Sequence, residues 1–430
     1  MSERYRKSEA LLERALKVIP LGSQTFSKSI TQYPLGISPY FIERAKGSHA
    51  WDVDGNEYVD FVSSLCAVNL GYCDQDVDNA VRAQMENGVT LSLAHRLEME
   101  VAERIVEMIP CAEKVRFGKN GTDGTSAAIR IARAHTGRDR VAVCGYHGWQ
   151  DWYIGSTTRH LGVPSAVRGL THVFAYNDPA SLAAILEAHP GEFAAVILEP
   201  MNVHFPKDGF LEKVRDLTHA HGAVLVFDET ITGFRFANGG AQELFGVIPD
   251  LASFGKGLAN GYPLSAITGR ADLMDVMEKI FFSGTFGGET LSLAAARAVI
   301  DKMKSQPVVE TLIATGTAIQ QGLTRLIEKH ACGHFLSISG HPTWTFLLMA
   351  DANGQSQWEI KTLYMQEILA RGILSLGSHE VSYAHTPADV ARLLEVYDEV
   401  FPILVEAVAA GDVVSRLRCK PLVPLFKVRG

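Results

Sequence analysis

HGAVLVFDETITGFR, residues 221–235, holds the reading on which the fold turns. Within it, Ala223–Phe227 is an unbroken apolar run that stops at Asp228-Glu229-Thr230. A strand that is apolar on both faces must be covered on both faces, which is the habit of parallel sheets. Working outward, similar short runs recur at Val141–Cys144, Ala194–Leu198, Leu251–Phe254 and Leu264–Thr268. Helical spacing fills the intervals at Gly124–His135, Ala180–His189 and Leu211–Gly222. Strands alternating with helices predict an α/β fold, with a mostly parallel sheet between helical layers.

The flanks read differently. Leu11, Leu12, Ala15, Leu16 and Ile19 fall at helical spacing over Ser8–Ile19, and Pro20 ends the run. A Gly/Ser/Thr/Pro-rich irregular stretch follows from Leu21 to Pro39. Ala50–Asp60 predicts two short strands around Asp54-Gly55-Asn56. Glu98–Met108 predicts an amphipathic helix with Met99, Val101, Ala102, Ile105 and Met108 on its buried face. After about Asp301 come helices, an apolar strand near Trp344–Met349 and a closing helix around Asp389–Ala410. That portion reads as a smaller C-terminal domain.

Composition removes several classes of function. At 430 residues the chain is long enough for two domains. With 47% apolar and 20% charged residues it reads as globular, not disordered. Forty basic against forty-eight acidic residues give a net charge of −8, so a nucleic-acid partner is not expected. No apolar block of about 20 residues occurs, and Met1–Pro20 carries charge throughout. The expectation is a soluble, cytoplasmic chain with no signal peptide and no membrane partner. Six scattered cysteines without a CxxC pair predict buried, reduced thiols.

Open parallel sheets bind ligands beyond the carboxyl ends of their strands, so the residues that follow each apolar run carry the chemistry. Asp228 ends one strand, and a buried acid needs a partner. Lys256 follows another, flanked by Gly255 and Gly257 where the backbone can bend closely around a ligand. It is not a phosphate-binding P-loop, because Asp250 and Gly257 occupy the positions that motif needs as Gly and Ser/Thr. Lys119-Asn120-Gly121-Thr122-Asp123-Gly124 opens a helix with amides and a hydroxyl suited to a phosphate. Gly145-Tyr146-His147-Gly148 offers an aromatic face and an imidazole at a third strand end. Alone, each has a plainer reading, as a turn cap, a solvated lysine or an N-cap. Together they specify a flat cationic ring on Tyr146, its nitrogen on Asp228, its phosphate on Gly121 and Thr122, and its carbonyl on Lys256. Pyridoxal phosphate has those features.

The chain resembles the class III, fold-type I aminotransferases, and among them the glutamate-1-semialdehyde 2,1-aminomutase group. The segments that carry the likeness are WDVDGNEYVDF (51–61), VRFGKNGTDGTSAAIRIARAHTGRDRV (115–141), GYHGW (145–149), AAVILEP (194–200), HGAVLVFDETITGFR (221–235), PDLASFGKGLANGYPLSAITGR (249–270) and SGTFGG (283–288). The resemblance implies a large domain with a seven-stranded, mostly parallel sheet, and a smaller α+β domain built from both ends of the chain. The division it implies is an N-terminal segment over 1–60, a large cofactor domain over 61–305 and a small domain over 306–430. It also implies Lys256 as the Schiff-base lysine, Asp228 on the ring nitrogen, and Gly121 and Thr122 on the phosphate. Tyr146 is implied to stack on the ring with His147 beside it, and Glu199 to lie near the substrate end. Thr285 is implied to reach the phosphate site of a neighbouring subunit, so a homodimer is expected.

Departures from that pattern gather around the substrate. Gln24-Thr25-Phe26-Ser27-Lys28 stands where aminomutases typically carry an arginine, and Lys28 lacks its bidentate geometry. Gln150–Arg159 replaces a Gly/Ser-rich gating loop. The expectation is therefore transfer of an amino group from a donor such as glutamate to a polar, sugar-like carbonyl acceptor. An aminomutase with diverged substrate loops is the alternative. Candidate substrate residues are Gln24, Lys28, Trp149, Trp152 and His379, with Arg235 a candidate either for a substrate carboxylate or for a structural pair. No metal site is expected: His219 and His221 sit two apart on a helix and face different ways, and His330, His334 and Cys332 lack a second pair.

Overall fold

A computed structural model describes residues 3–424 of the chain. They fall into two compact units, one of residues 66–69 and 75–309 and one of the remaining terminal segments, 3–65, 70–74 and 310–424. In chain order the first three strands, β1 (Ile42–Lys46), β2 (His49–Asp52) and β3 (Glu57–Asp60), belong to the terminal unit. The large unit supplies β4 (Lys114–Gly118), β5 (Arg140–Cys144), β6 (Thr171–Val173) and β7 (Phe193–Leu198), then β8 (Val224–Asp228), β9 (Leu251–Phe254) and β10 (Ser265–Gly269). The terminal unit closes with β11 (Leu336–His341), β12 (Trp344–Met349), β13 (Ile373–Leu374) and β14 (Ser378–Glu380).

The large unit is built on one seven-stranded sheet in the order β4-β10-β9-β8-β7-β5-β6. β9, β8, β7, β5 and β6 pair in parallel, and only β10 runs against its neighbours β4 and β9. Every residue of β7, β8 and β9 is buried, which is why these runs show no polar alternation. The helix Gly121–Thr136 lies on the sheet through Ala127, Ala128, Ile131 and Ala132, all buried. Gly124 allows the close approach: a methyl there would stand 3.1 Å from Ser253 Cβ and 3.3 Å from Ala266 O. The helix begins where Asp123 Oδ2 accepts from Lys119 N and Asn120 N, and it ends at the left-handed Gly137.

In the terminal unit β1, β2 and β3 form an antiparallel meander to which β13 adds in parallel, while β11, β12 and β14 form a second antiparallel sheet. The helices Gln357–Ala370 and Pro387–Ala410 pack together in this unit. The turn between β2 and β3 is held by Asp52 Oδ1, which accepts from Asp54 N and Asn56 N.

Several expectations are corrected. The first helix is Arg6–Ala15 and stops short of Ile19. In the helix Arg96–Met108 the buried residues are Leu97, Val101 and Ile105, whereas Met99 is 58% exposed. Val101 and Ile105 lie on the buried face as expected, with Ala102 and Met108 half-buried, and Leu97 takes the place given to Met99. Trp152 is buried in the large core and donates Nε1–H to Ser126 Oγ, so it is withdrawn from the substrate set. Of the six free cysteines, Cys73 is exposed and Cys419 half-buried.

Candidate active site

Four neighbouring parallel strands, β9, β8, β7 and β5, end along one edge of the large sheet, and the candidate residues follow those ends. Asp228 closes β8, Glu199 follows β7, Tyr146 and His147 follow β5, and Lys256 follows β9. The helix N-terminus at Gly121 follows β4, which runs parallel to β9 across the antiparallel β10. One sheet edge therefore gathers residues up to 135 positions apart, from Gly121 to Lys256.

Asp228 is 5% exposed and is held from three directions. Its Oδ1 accepts from Thr230 N at 3.1 Å and Ser253 Oγ at 3.3 Å, and its Oδ2 faces His147 Nδ1 at 2.9 Å. The other ring nitrogen, Nε2, lies 3.1 Å from the carbonyl of Cys144 and must donate to it, since a carbonyl only accepts. Burial alone would raise the Asp228 carboxyl, but the hydrogen bond and charge of His147, with Thr230, bring it below the ordinary value. Of the four lone-pair directions of the carboxylate, one on Oδ2 is left for a cationic ligand atom.

Glu199 goes the other way. Burial raises its carboxyl, and the negative charge of Asp228 adds to the rise. His147, Tyr146 N–H and Asn202 oppose it, and its Oε2 accepts from Tyr146 N at 2.9 Å and Asn202 Nδ2 at 3.0 Å. Two carboxyls on adjacent strands are thus pushed apart in acidity, which is how one site separates a fixed anion from a group that can hold a proton. The Tyr146 ring is about half exposed and meets Tyr153 edge to face at 5.5 Å.

At the helix start Thr122 Oγ1 is buried with no hydrogen-bond partner, and so is Thr230 Oγ1. A methyl on Gly121 would stand 2.9 Å from Thr230 Cγ2, and one on Gly148 2.4 Å from Thr122 Oγ1. Two unsatisfied hydroxyls beside glycine backbone and the open amides of a 16-residue helix make an anion cradle. These observations fit pyridoxal phosphate: an anion cradle for its ester, a carboxylate with one free lone pair for its ring nitrogen, and an amine on Lys256 for its carbonyl. Lys256 is half-buried and has a left-handed backbone, φ 44°.

The remaining expected residues differ in burial and partners. His147 is 1% exposed and meets the candidate site through its bond with Asp228. Arg235 is completely buried and donates from Nη2 to Asn69 Oδ1 at 2.5 Å, which removes it from substrate binding. His379 lies in the terminal unit, fully buried, with Nε2 2.7 Å from Tyr397 Oη and Nδ1 3.4 Å from Thr345 O, and it too is withdrawn. Gln24 and Lys28 line a cavity of about 470 Å³ within the terminal unit, shared with Tyr33, Asp60 and Tyr72. Trp149 is 65% exposed, and Thr285 stands exposed in the loop before the helix Thr290–Ser305. The sequence reading missed Ser253, Asn202 and the Thr230 hydroxyl as supports of the site; all three sit within a few residues of strand ends, where the signal lay. Among the described residues no group of three or more His, Cys, Asp or Glu is placed to hold a metal, and no helix is long and apolar enough to cross a membrane.

Known proteins place this arrangement in a family. The class-III aminotransferase family matches residues 33–391. A 3-aminobutyryl-CoA aminotransferase of Cloacimonas acidaminovorans is 33% identical over 93% of this chain and 98% of its own length. A glutamate-1-semialdehyde 2,1-aminomutase of Symbiobacterium thermophilum is 35% identical over 93% of this chain and 99% of its own. Among solved structures, the PLP internal aldimine form of the FumI protein of Sphingopyxis sp. MTA144 superposes with a TM-score of 0.87 at 31% identity, covering 94% of this chain and 98% of that one. The chain belongs to the class-III aminotransferases, fold-type I, pyridoxal-phosphate-dependent enzymes that act on small molecules.

Proposed function

We propose that this aminotransferase moves an amino group between two separate molecules, from a donor such as glutamate to a polar, sugar-like carbonyl acceptor, in two half-reactions. Pyridoxal phosphate, when bound, supplies an electron sink for the bonds at the amino-bearing carbon. Gly121, Thr122 and Thr230 would hold its phosphate, Tyr146 its ring face and Asp228 its ring N–H. Lys256 Nζ would bond its carbonyl carbon, and once freed by the donor would take the proton from the substrate's amino-bearing carbon. Glu199, with its raised carboxyl, would hold a proton close to the ring. In a homodimer the exposed Thr285, flanked by the exposed Phe281 and Phe286, would reach the neighbour's phosphate site.

The observation that carries the intermolecular reading is the anchoring of the segment after Gly148. A mutase must close over a free intermediate and keep it. Here Trp152, Tyr153, Ser156 and Thr157 are all buried. Tyr153 Oη donates to Gly145 O at 2.8 Å, Trp152 Nε1 to Ser126 Oγ at 2.9 Å, and Trp152 O accepts from Thr171 Oγ1. A segment buried along its length and tied by these three bonds to residues outside it is a wall and not a lid. The likeness to a 3-aminobutyryl-CoA aminotransferase supports the same reading, and the similar likeness to aminomutases keeps intramolecular transfer as the alternative. Titrating the holoenzyme with L-glutamate alone and following visible absorbance decides between them. Loss of the cofactor's band with release of 2-oxoglutarate is expected. A band that survives glutamate but responds to 4,5-diaminovalerate would return the enzyme to the mutases. In the same assay Lys256→Ala is expected to slow the half-reaction by about 10³-fold or more.

A further inference from the structure

We propose that Asn69 and Arg235 are positioning residues for Lys256, gripping the backbone on either side of the lysine and so aiming its amine. The inference rests on Lys256 as the residue that bonds the cofactor and is independent of which donor and acceptor are used.

The chain arrives at Asn69 by an unusual route. Ser63, Ser64, Leu65 and Cys66 have φ values of 43°, 51°, 61° and 65°, a turn of left-handed helix made without glycine. L-residues avoid that conformation, so it persists only where the surroundings impose it. What the turn delivers is Val68 and Asn69, both buried within the large unit. Asn69 Nδ2 donates to Phe234 O at 2.7 Å, and Asn69 Oδ1 accepts from the buried Arg235 at 2.5 Å. The amide, fixed at both ends, packs its nitrogen end against Gly257: a methyl on Gly257 would stand 2.1 Å from Asn69 Nδ2 and 2.7 Å from its Cγ.

The same segment closes on the residue before the lysine turn. A methyl on Gly233 would stand 2.3 Å from Phe254 Cδ1, and the Phe234 and Phe254 rings meet edge to face at 5.6 Å. Gly233–Arg235 therefore contacts Phe254 directly and Gly257 through Asn69, with the left-handed Lys256 held between them. Phe234 and Lys256 both hold positive φ, at 59° and 44°, so neither turn would keep its shape alone. Arg235, wholly buried, has no route to substrate; its planar fork sets the amide of Asn69. Aiming an amine at a carbonyl carbon tolerates little displacement, so a loosened turn should cost rate before it costs binding.

The test uses the holoenzyme and four variants, Asn69→Ala, Asn69→Asp, Arg235→Lys and Gly257→Ala, with the Asn69→Ala/Gly257→Ala pair. Three quantities are read: the fraction of chain carrying the cofactor covalently after borohydride reduction, by intact mass; the pH midpoint of the visible band; and kcat and KM for the half-reaction with an amino donor that discharges the parent's band. Asn69→Ala is expected to lower kcat about tenfold or more. It should also move the band's midpoint and leave KM within about twofold. Gly257→Ala should reduce covalent loading in the parent but add little in the Asn69→Ala background, where the obstructing amide is gone. Should Asn69→Ala not fold, Asn69→Asp preserves shape and the oxygen toward Arg235 while losing the donor to Phe234 O, and carries the same readouts. Variants that raise KM with kcat and band unchanged would overturn the proposal, as would effects of Asn69→Ala and Gly257→Ala that simply multiply. Parent enzyme with no covalent cofactor on Lys256 would instead sink the reading of Lys256 on which it rests.

Discussion

Asp228 can hold a ring cation only while it stays ionised in a buried place, and the surrounding donors do that work. A carboxylate 5% exposed would pick up a proton readily without help. His147 supplies the help, with one nitrogen on Asp228 Oδ2 and the other donating to Cys144 O. Replacing it by asparagine removes a charge-assisted hydrogen bond of about 1.5–3 kcal/mol. The Asp228 carboxyl then rises toward the value its burial dictates, so the acid limb of kcat moves to higher pH. With each 1.4 kcal/mol worth tenfold, kcat for His147→Asn should fall about 10- to 100-fold, with KM for the donor little changed. A kcat–pH profile of the variant checks this; an unmoved acid limb would leave His147 as packing alone.

Loops after strands, and the helix start that faces them, act as units. Gly148 has φ 104° and its missing side chain leaves room for the Thr122 hydroxyl, 2.4 Å from where a methyl would stand. Gly148→Ala should push that hydroxyl off the anion cradle and strain the loop, weakening pyridoxal phosphate affinity about tenfold or more. Equilibrium titration of the cofactor-free chain measures it, with thermal unfolding as the control on the fold. At this scale the strands and the site edge were legible, because fully buried strands are written as continuous apolar runs and their ends carry the chemistry. Less legible was anything decided by tertiary burial. Arg235 and His379 look available in a sequence, since arginine is mostly exposed and histidine is buried only part of the time. In the fold each is wholly buried, Arg235 with Asn69, 166 positions away, as a partner and His379 with Tyr397, 18 positions away. Asn69 gave no signal at all, as its importance comes from a left-handed turn that nothing in Ser63–Cys66 announces. In the helix Arg96–Met108 apolar residues lie on more than one face, so the periodicity marked Met99 where the fold buries Leu97.

The whole molecule should be acid-sensitive well above the range in which its carboxylates are lost, and the cause lies in the terminal unit. His379 is packed against Tyr397 and the edge of Phe61, and His385 is stacked on Phe61 at 4.6 Å. Burial pushes both imidazoles down to about 4. A histidine kept neutral in the fold but titrating near 6.5 when unfolded gives stability that is complete above 6.5 and is lost as pH falls toward 4. At pH 5 that amounts to about 2 kcal/mol for each histidine, a large fraction of a net stability of about 5–15 kcal/mol. Asp60 of the same unit offsets part of this: burial raises its carboxyl despite Tyr72 and two backbone donors, so the folded form takes up its proton first. Asp389, depressed by its hydrogen bonds with Thr386, Ser48 and His49 against the opposing effect of burial, contributes only below this window. Urea unfolding followed at pH 7.5 and pH 5.0 should therefore show a lower midpoint in acid. His379→Phe should be less stable at pH 7.5, having lost its bond to Tyr397, yet should depend on pH more shallowly, by about one proton between 6.5 and 4. Parallel slopes for the variant and the parent would mean that His379 takes up its proton in the folded state, and the acid sensitivity would then have to come from His385 alone.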